Sequence, residues 1–524
     1  MSYKKKIILF FFAVIVLVCV VLLFIQIIKK PEKGGEVNKT STASYVSGVV
    51  PHHLLANSII EGFFQALSKS KSIQEIVLLS PDHFNQASLY GNKPINDEVL
   101  VKEDHGITNI LPYLKKYFPD AKIDSFLIPA KFSIEDSRVF TEKLNVSLPM
   151  DSFVLASVDF SHYLPQNIAD FHDKKSIRVL LNFEGNKFSN IEVDCPQCLY
   201  VVRYFAKLRG KEGNFVIDHK NSQDFSVDKN LQSTTSYFSV LFGGGENFPL
   251  AGGDFGYQTL LFVGDMMFDR GIEYQMKKNS VFYPFEKIEN VLRGIDYVVG
   301  NLEGPIVEHP IDYGKTSLTF NFDRNIIEGL KFAHFNILSL ANNHTLNAGN
   351  IRLEETKSFL GQAEINYFGD PVGCDKKDIF SDDKFVFVGI NQTYDFNCGK
   401  EKLLELVKNL KEKNLGKLLF VSIHWGIEYQ AKASSFQKNL AHSLIDAGAD
   451  LIVGHHPHVV QEIEKYKDKY IAYSLGNFIF DQNFSEETKE GSMLKVLVED
   501  KKIVEVEPIK IKFTKTFQPE IVDD

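Results

Sequence analysis

The chain has 524 residues, too many for one ordinary hydrophobic core, so its length predicts two to four domains. Apolar residues make up 44% and charged residues 24%, the balance of a globular protein rather than of a disordered or fibrous one. The net charge is −9, and residues 1–33 hold six lysines against one glutamate, which leaves −14 on the remainder. A body that acidic excludes nucleic acid as the expected partner and points to small molecules, a metal-bridged anion or the cell envelope.

Residues 1–30 read as an N-terminal transmembrane anchor. Between Ile7 and Ile28 lie 22 uncharged residues in which Gln26 is the strongly polar one. As a helix they span roughly 30 Å, the thickness of the hydrocarbon core. The apolar stretch is longer than that of a signal peptide and lacks a small-residue cleavage site. Lysines flank both ends, so the positive-inside rule is nearly balanced. A short head before a long tail favours an exported body, giving a single-pass cell-membrane protein with an extracytoplasmic mass.

Residues 31–48, rich in Gly, Ser and Thr, read as a flexible tether. From 49 to 242 apolar runs such as "EIVLLS" and "SFVLASVDFS" alternate with amphipathic stretches such as "ANSIIEGFFQALSKS", which is an α/β layout. "FGGGENFPLAGGDFG" carries six glycines in fifteen residues, so 243–256 read as a linker. The alternation restarts and runs over 257–524. The expected fold class is therefore α/β: two α/β domains behind one transmembrane helix.

In the first domain polar residues follow strands. "GVVPHH" offers His52 and His53, "SPDHFN" offers Asp82 and His83, and "KEDHGITNILPYL" opens a helix with Glu103, Asp104 and His105. "SVDFSHY" offers Asp159, Ser161 and His162, and "EVDCPQC" offers Cys195 and Cys198. Four histidine-bearing sites in one domain predict a pocket. The CxxC pair reads equally as a disulfide or a redox couple.

The second domain repeats the pattern more densely. Strand ends deliver Asp265, then Asn301 and Glu303, then Asn342, Asn343 and His344, then His424 beside Trp425. "LIVGHHPHVV" delivers His455, His456 and His458, and "YSLGNFIFD" delivers Asn477 and Asp481. In open α/β sheets ligands bind beyond the carboxyl ends of the strands. Carboxylate, amide oxygen and neutral imidazole without thiolate suit Mn²⁺, Fe²⁺, Zn²⁺ or Mg²⁺. Two such ions would activate a water and clamp a phosphoryl-like centre. Asn301, Asn342 and Asn477 serve equally well as loop ties, and Trp425 as packing. Cys374 and Cys398 bracket one segment as a disulfide or as two thiols.

The ordered strings "GDMMFDRG", "NLEGP", "ANNHTLNAG", "HWGIEY", "GHHPHVVQ" and "YSLGNFIFD", across roughly 257–485, resemble the CapA family of poly-γ-glutamate capsule proteins, itself similar to calcineurin-like metallophosphoesterases. The resemblance implies an α/β/β/α sandwich with a divalent metal at the strand ends. Carried over by motif, it implies Asp265, Asn343, His424, His456 and His458 as ligands and Glu303 as the bridging carboxylate. His344 would face the leaving oxygen, His424 would serve catalysis as well as the metal, and His455 would support the others. Two positions depart from the pattern. Met267 stands where a metallophosphoesterase has His two residues after its first Asp, and Asn347 where the family often has Asp.

"PHH", "SPDH", "EDHGITNILPYL" and "SVDFSHY" resemble, over about 48–242, the Memo family (AmmeMemoRadiSam system protein B-like), itself similar to class III extradiol dioxygenases. That resemblance implies iron or copper held by His52, His83 and Cys195, with His105, Asp159 and His162 lining the pocket. Pro196 departs from the glycine that follows the family's cysteine.

Together these imply a membrane-anchored, metal-dependent hydrolase or transferase acting on an envelope or capsule polymer of the poly-γ-glutamate kind, or on a small anionic substrate, alongside polymer-synthase partners. A non-catalytic scaffold or export component is the alternative. So is a redox-active Memo-like metal domain joined to a polymer-binding domain.

Overall fold

The computed structural model describes residues 44–522, apart from 71, 87–90, 245–255, 315, 373–377 and 394–397. The expected anchor, most of the tether, most of the glycine linker and Cys374 lie outside the described residues. Among the described residues no helix is long and apolar enough to cross a membrane.

Among its described residues the first half is built on seven strands: β1 (Ser44–Val50), β2 (Glu75–Pro81), β3 (Lys122–Ile128), β4 (Ser152–Ser157), β5 (His162–Leu164), β6 (Gly213–Asn221) and β7 (Thr234–Gly244). They form one sheet in the order β3-β2-β4-β1-β7-β5, with β6 paired to β7. The pairs among β3, β2, β4 and β1 are parallel, and β1 meets β7 antiparallel. Helices cover both faces. Phe63, Phe64 and Ile107 pack on one side, and Leu199, Val202 and Phe205 on the other.

The first strand starts earlier than the composition suggests, because Ser44–Gly48 pair with β7 rather than form a tether. Gly48 reads as linker chemistry but serves close packing: a Cβ there would stand 2.8 Å from the Val240 carbonyl and 2.9 Å from the Phe63 ring. Gly243 and Gly244, taken as linker, likewise belong to β7. The helix expected from "EDHGITNILPYL" is two, His105–Thr108 and Leu111–Tyr117. Pro112 has no N–H to continue the first turn and sits in the opening turn of the second.

Among its described residues the second half contains two large sheets. One joins β8 (Gln258–Met266), β9 (Tyr297–Leu302), β12 (Ile337–Ser339), β13 (Asn366–Phe368), β20 (Asn477–Ile479), β21 (Glu490–Glu499), β22 (Lys502–Phe513) and β23 (Pro519–Ile521). The other joins β14 (Phe380–Ser381), β15 (Phe385–Asn391), β16 (Leu418–His424), β17 (Leu451–His455), β18 (Ile463–Tyr466) and β19 (Lys469–Ala472). A small pair, β10 (Ile306–Val307) and β11 (Phe322–Asp323), stands apart. Leu260, Phe262 and Val496 from the first sheet interdigitate with Phe387, Phe420 and Val453 from the second, so the sheets pack face to face. Helices cover the outer face of each. The architecture is mixed α/β throughout.

The halves share a core. Ile168, Ala169 and Phe171 of the helix Gln166–Asn182 pack in the same cluster as Met266, Val291 and Leu292. The same helix sends polar groups across. His172 Nε2 donates to the Val291 carbonyl at 3.0 Å and Lys175 Nζ to that of Ile295 at 2.9 Å. Arg178 binds Asp296 through two contacts of 2.7 and 2.9 Å.

Both charges of the Arg178–Asp296 pair are buried, so losing one partner strands the other. Arg178→Met should cost about 3–5 kcal/mol in urea denaturation. His172 offers a pH test, because burial holds its folded pKa at about 4 against an ordinary 6.5. Above 6.5 the ring is neutral folded or unfolded. As the pH falls from 6.5 toward 4, only the unfolded chain takes the proton, so stability drops by up to about 3 kcal/mol. His172→Asn should flatten that part of the stability profile relative to wild type.

Candidate metal centre

The second-half site forms where β8, β9, β16 and β17 end. Parallel pairing sets Asp265 opposite Asn301 and His424 opposite His455, so the polar ends of separate strands arrive at one edge. Gly454 lets β17 come close, since a Cβ there would lie 2.0 Å from the Tyr473 carbonyl. The following loop is strained. His456 and His458 hold φ of 97° and 56°, a region costing on the order of 1–3 kcal/mol per non-glycine residue. Such strain persists where the surrounding structure imposes it.

Asp265 is fully buried. It accepts Asn301 Nδ2 at 2.8 Å and the His456 N–H at 3.2 Å, and it lies 3.2 Å from both His455 Nδ1 and His458 Nδ1. Burial alone would raise its pKa, but the two imidazoles hold it well below the carboxylate range. Glu303 is the opposite case: burial, with Asp265 nearby, pushes it well up, and neither carboxylate oxygen has a hydrogen-bond partner. Around Glu303 Oε1 stand His458 Nε2 at 3.7 Å, His344 Nε2 at 3.8 Å and His424 Nε2 at 3.9 Å. These are too long for hydrogen bonds. Two ligand atoms each about 2.1 Å from one ion sit about 3–4 Å apart, so the spacing suits a shared cation.

The unpartnered atoms agree. Asn343 Oδ1, His424 Nε2 and His456 Nδ1 are buried without partners, as are both Glu303 oxygens. Buried polar groups in native proteins are nearly always satisfied. Oxygen and imidazole donors orphaned together fit a divalent ion. Asp265, Glu303 and His458 bring ligand atoms within 4.8 Å of one another, as do Glu428, His456 and His458.

Burial sets the charge of the surrounding imidazoles. Burial lowers His456 and His344 to about 4 and His424 well below its ordinary value, so all three stay neutral. His344 Nδ1 lies 2.9 Å from Asn347 Oδ1, which also accepts the Phe320 N–H. Asn347 is therefore an acceptor that turns Nε2 toward Glu303, the orienting role of an Asp without its charge. Burial opposes the charge on His458, but Glu303 and Asp265 raise it to about 9. A cation between the same carboxylates would replace that proton.

Met267 is fully buried, and its Sδ accepts the Asp269 N–H at 3.0 Å, so it adds nothing to the cluster. Asn342 donates to Asn301 Oδ1 and the Leu302 carbonyl, and Asn477 Oδ1 meets His458 Nδ1. These amides tie loops. Trp425 is packing: fully buried, it donates to the Tyr473 carbonyl at 3.0 Å.

In the first half His52, His83 and His105 bring ring nitrogens within 4.8 Å. Asp104 caps the helix His105–Thr108 and meets His83 Nδ1 at 3.0 Å through each oxygen, which turns Nε2 of His83 outward. His52 Nε2 is 3.5 Å from Asp159 and 3.6 Å from Asp194, and its Nδ1 has no partner. Burial and the neighbouring imidazoles lower His52 to about 3. Burial also lowers His162, beside Asp159 and His52.

One expectation is corrected here. Cys195 is bonded to Cys198 in a disulfide at the start of the helix Pro196–Leu208, so it has no thiolate to offer a metal. His105, expected only to line the pocket, is the third member of the His52–His83 group. Cys398 is also disulfide-bonded. Two carboxylates escaped the sequence reading. Asp194 was hidden beside the conspicuous cysteines, and Glu428 lay inside "HWGIEY" without being singled out.

Fold and site define a mixed α/β protein with a buried imidazole–carboxylate cluster at its strand ends. The family model described as bacterial capsule synthesis protein PGA_cap matches residues 259–379 and 375–482. The capsule biosynthesis protein CapA of Bacillus anthracis is 32% identical over 280 residues, covering 48% of this chain and 67% of that protein. The PGA biosynthesis protein CapA of Bacillus subtilis (strain 168) is 31% identical over 252 residues, covering 44% and 66%. The chain belongs to the PGA_cap family of bacterial capsule synthesis proteins. The match spans about two thirds of those relatives and lies in the second half of this chain. Purple acid phosphatase PPD1 from yellow lupin overlays 59% of this chain and 65% of its own at 12% identity, with a TM-score of 0.25. A likeness of that size supports no inference about this chain.

If Cys195 serves the fold alone, the Cys195→Ser/Cys198→Ser double variant should lose about 2 kcal/mol of stability, the loop-entropy value for so short a ring. Its iron or copper content should equal that of wild type by elemental mass spectrometry.

Proposed function

We propose that this protein is a membrane-anchored, metal-dependent hydrolase or transferase working on a capsule or envelope polymer of the poly-γ-glutamate kind. The observation that carries this reading is the buried Glu303 carboxylate, unpartnered at both oxygens and ringed by three imidazole nitrogens at 3.7–3.9 Å. Structural metal sites favour closed, thiolate-rich shells, whereas this set is oxygen and imidazole at a strand-end mouth. The capsule and PGA biosynthesis named for the two CapA relatives supports the polymer as substrate class.

In this reading the second half is a calcineurin-like sandwich in which Asp265, Glu303, Asn343, His424, His456 and His458 hold divalent metal. A bound cation would polarise a phosphoryl or acyl oxygen and make a bound water acidic. The chain's own groups do the rest. The His455 and His458 imidazoles keep Asp265 ionised, and Asn301 and the His456 N–H aim it. Asn347 presents the unprotonated Nε2 of His344 to the reacting centre, where it takes or passes a proton.

The first half, read as Memo-like, holds iron or copper through His52, His83 and His105, with Asp159 and His162 beside it. The anchor in residues 1–30 places the body outside the cytoplasm, next to polymer-synthase partners.

Elemental mass spectrometry of the purified protein should find divalent metal that His456→Ala loses, together with turnover in a phosphodiesterase and peptidase screen. His52→Ala should remove a separate fraction. A metal-free protein after reloading would leave a tethered scaffold instead.

A further inference from the structure

Met267 contributes no donor to the second-half cluster. It stands two residues past Asp265, fully buried among Phe268, Ile272 and Phe285, with its sulfur engaged by the Asp269 N–H. A thioether so placed offers no oxygen or nitrogen to a hard cation. Across the cluster, Glu428 brings a carboxylate oxygen within 4.8 Å of nitrogens on His456 and His458. We propose that Glu428 is a metal ligand of this centre, supplying from the mouth the donor that Met267 does not supply from within.

The placement of Glu428 is built into the backbone. Its loop leaves the end of β16 through Gly426, at φ 92°, and is laced to the histidine loop along its length. The Trp425 N–H donates to the His455 carbonyl at 3.1 Å and the Tyr429 N–H to that of Pro457 at 2.8 Å. Gln461 Nε2 donates to the Gln430 carbonyl at 2.7 Å, and Gln482 Nε2 to the Tyr429 hydroxyl at 3.2 Å. These bonds hold the Glu428 loop beside His456 and His458. Its charge also acts on the buried members, raising Glu303 and His458. Three carboxylates converging on one cluster repel one another unless a cation lies among them.

The chemistry of the set follows. Glu428 adds a carboxylate to a mixed set of imidazole and carboxylate donors, which suits Mn²⁺, Fe²⁺ or Zn²⁺. Glu428 is exposed where the other two carboxylates are buried, so it can yield its place as an anionic substrate group approaches.

This inference rests on the metal reading above, and Mn²⁺ titration followed by the electron paramagnetic resonance of the free ion separates the two. Wild type should bind Mn²⁺. Glu428→Gln, a surface change that leaves the fold intact by circular dichroism, should weaken binding about 10-fold or more. Glu405→Gln, an exposed acid on the helix Lys400–Lys413, should titrate as wild type. If wild type binds and Glu428→Gln binds equally well, Glu428 is a solvated surface acid and the inference falls while the metal centre stands. Equal weakening by Glu405→Gln would reduce the effect to general charge and overturn it too. A wild type that binds no Mn²⁺ would remove the metal reading and this inference together.

Discussion

Glu303 sits at the end of β9 with no solvent contact and no hydrogen-bond partner on either oxygen. Leaving a carboxylate so would cost several kcal/mol, and a pocket usually avoids that by protonating the acid or pairing it. Here burial raises the acid while His344, His424 and His458 gather at distances no hydrogen bond would choose. A divalent ion bound there would resolve the conflict in one step. Much else in the second half serves that arrangement: the strained backbone at His456 and His458, the amide ties of Asn301, Asn342 and Asn477, and the close approach at Gly454.

The two clusters share a design without sharing ligands. Each gathers imidazoles from separate segments of chain and backs them with buried carboxylates, Asp265 and Glu303 in one, Asp104 and Asp159 in the other. They differ in how the supporting acid is used. Asp104 holds His83 by direct hydrogen bonds, whereas Glu303 makes none, so the first cluster is better satisfied without a cation. The halves that carry them are bound through one helix. His172, Lys175 and Arg178 each bury polar atoms that bond to the second half, which makes the first half a fixed partner rather than an appendage.

Much of the candidate site was legible because strands write themselves plainly. Apolar runs ending in polar residues mark where a sheet delivers side chains, and His424, His456 and Asp265 stand where that rule placed them. Cys195 failed because one pattern, CxxC, serves a thiolate ligand and a disulfide alike, and only the proximity of the two sulfurs decides. Asp194 failed for a related reason: its neighbours carried the stronger signal. Glu428 lies four residues past the end of β16, and an exposed acid in a loop has no periodicity to betray its direction.

The sequence by itself determined the local elements, the mixed α/β class and the edge on which the polar residues would gather, since those depend on alternation and on neighbours a few positions apart. Tertiary structure decided which atoms meet. Asp265 and His458 are far apart in the chain, and their 3.2 Å contact depends on strand order and register. Those are set by the packing of two sheets across one core, a property of the whole chain that no short stretch contains.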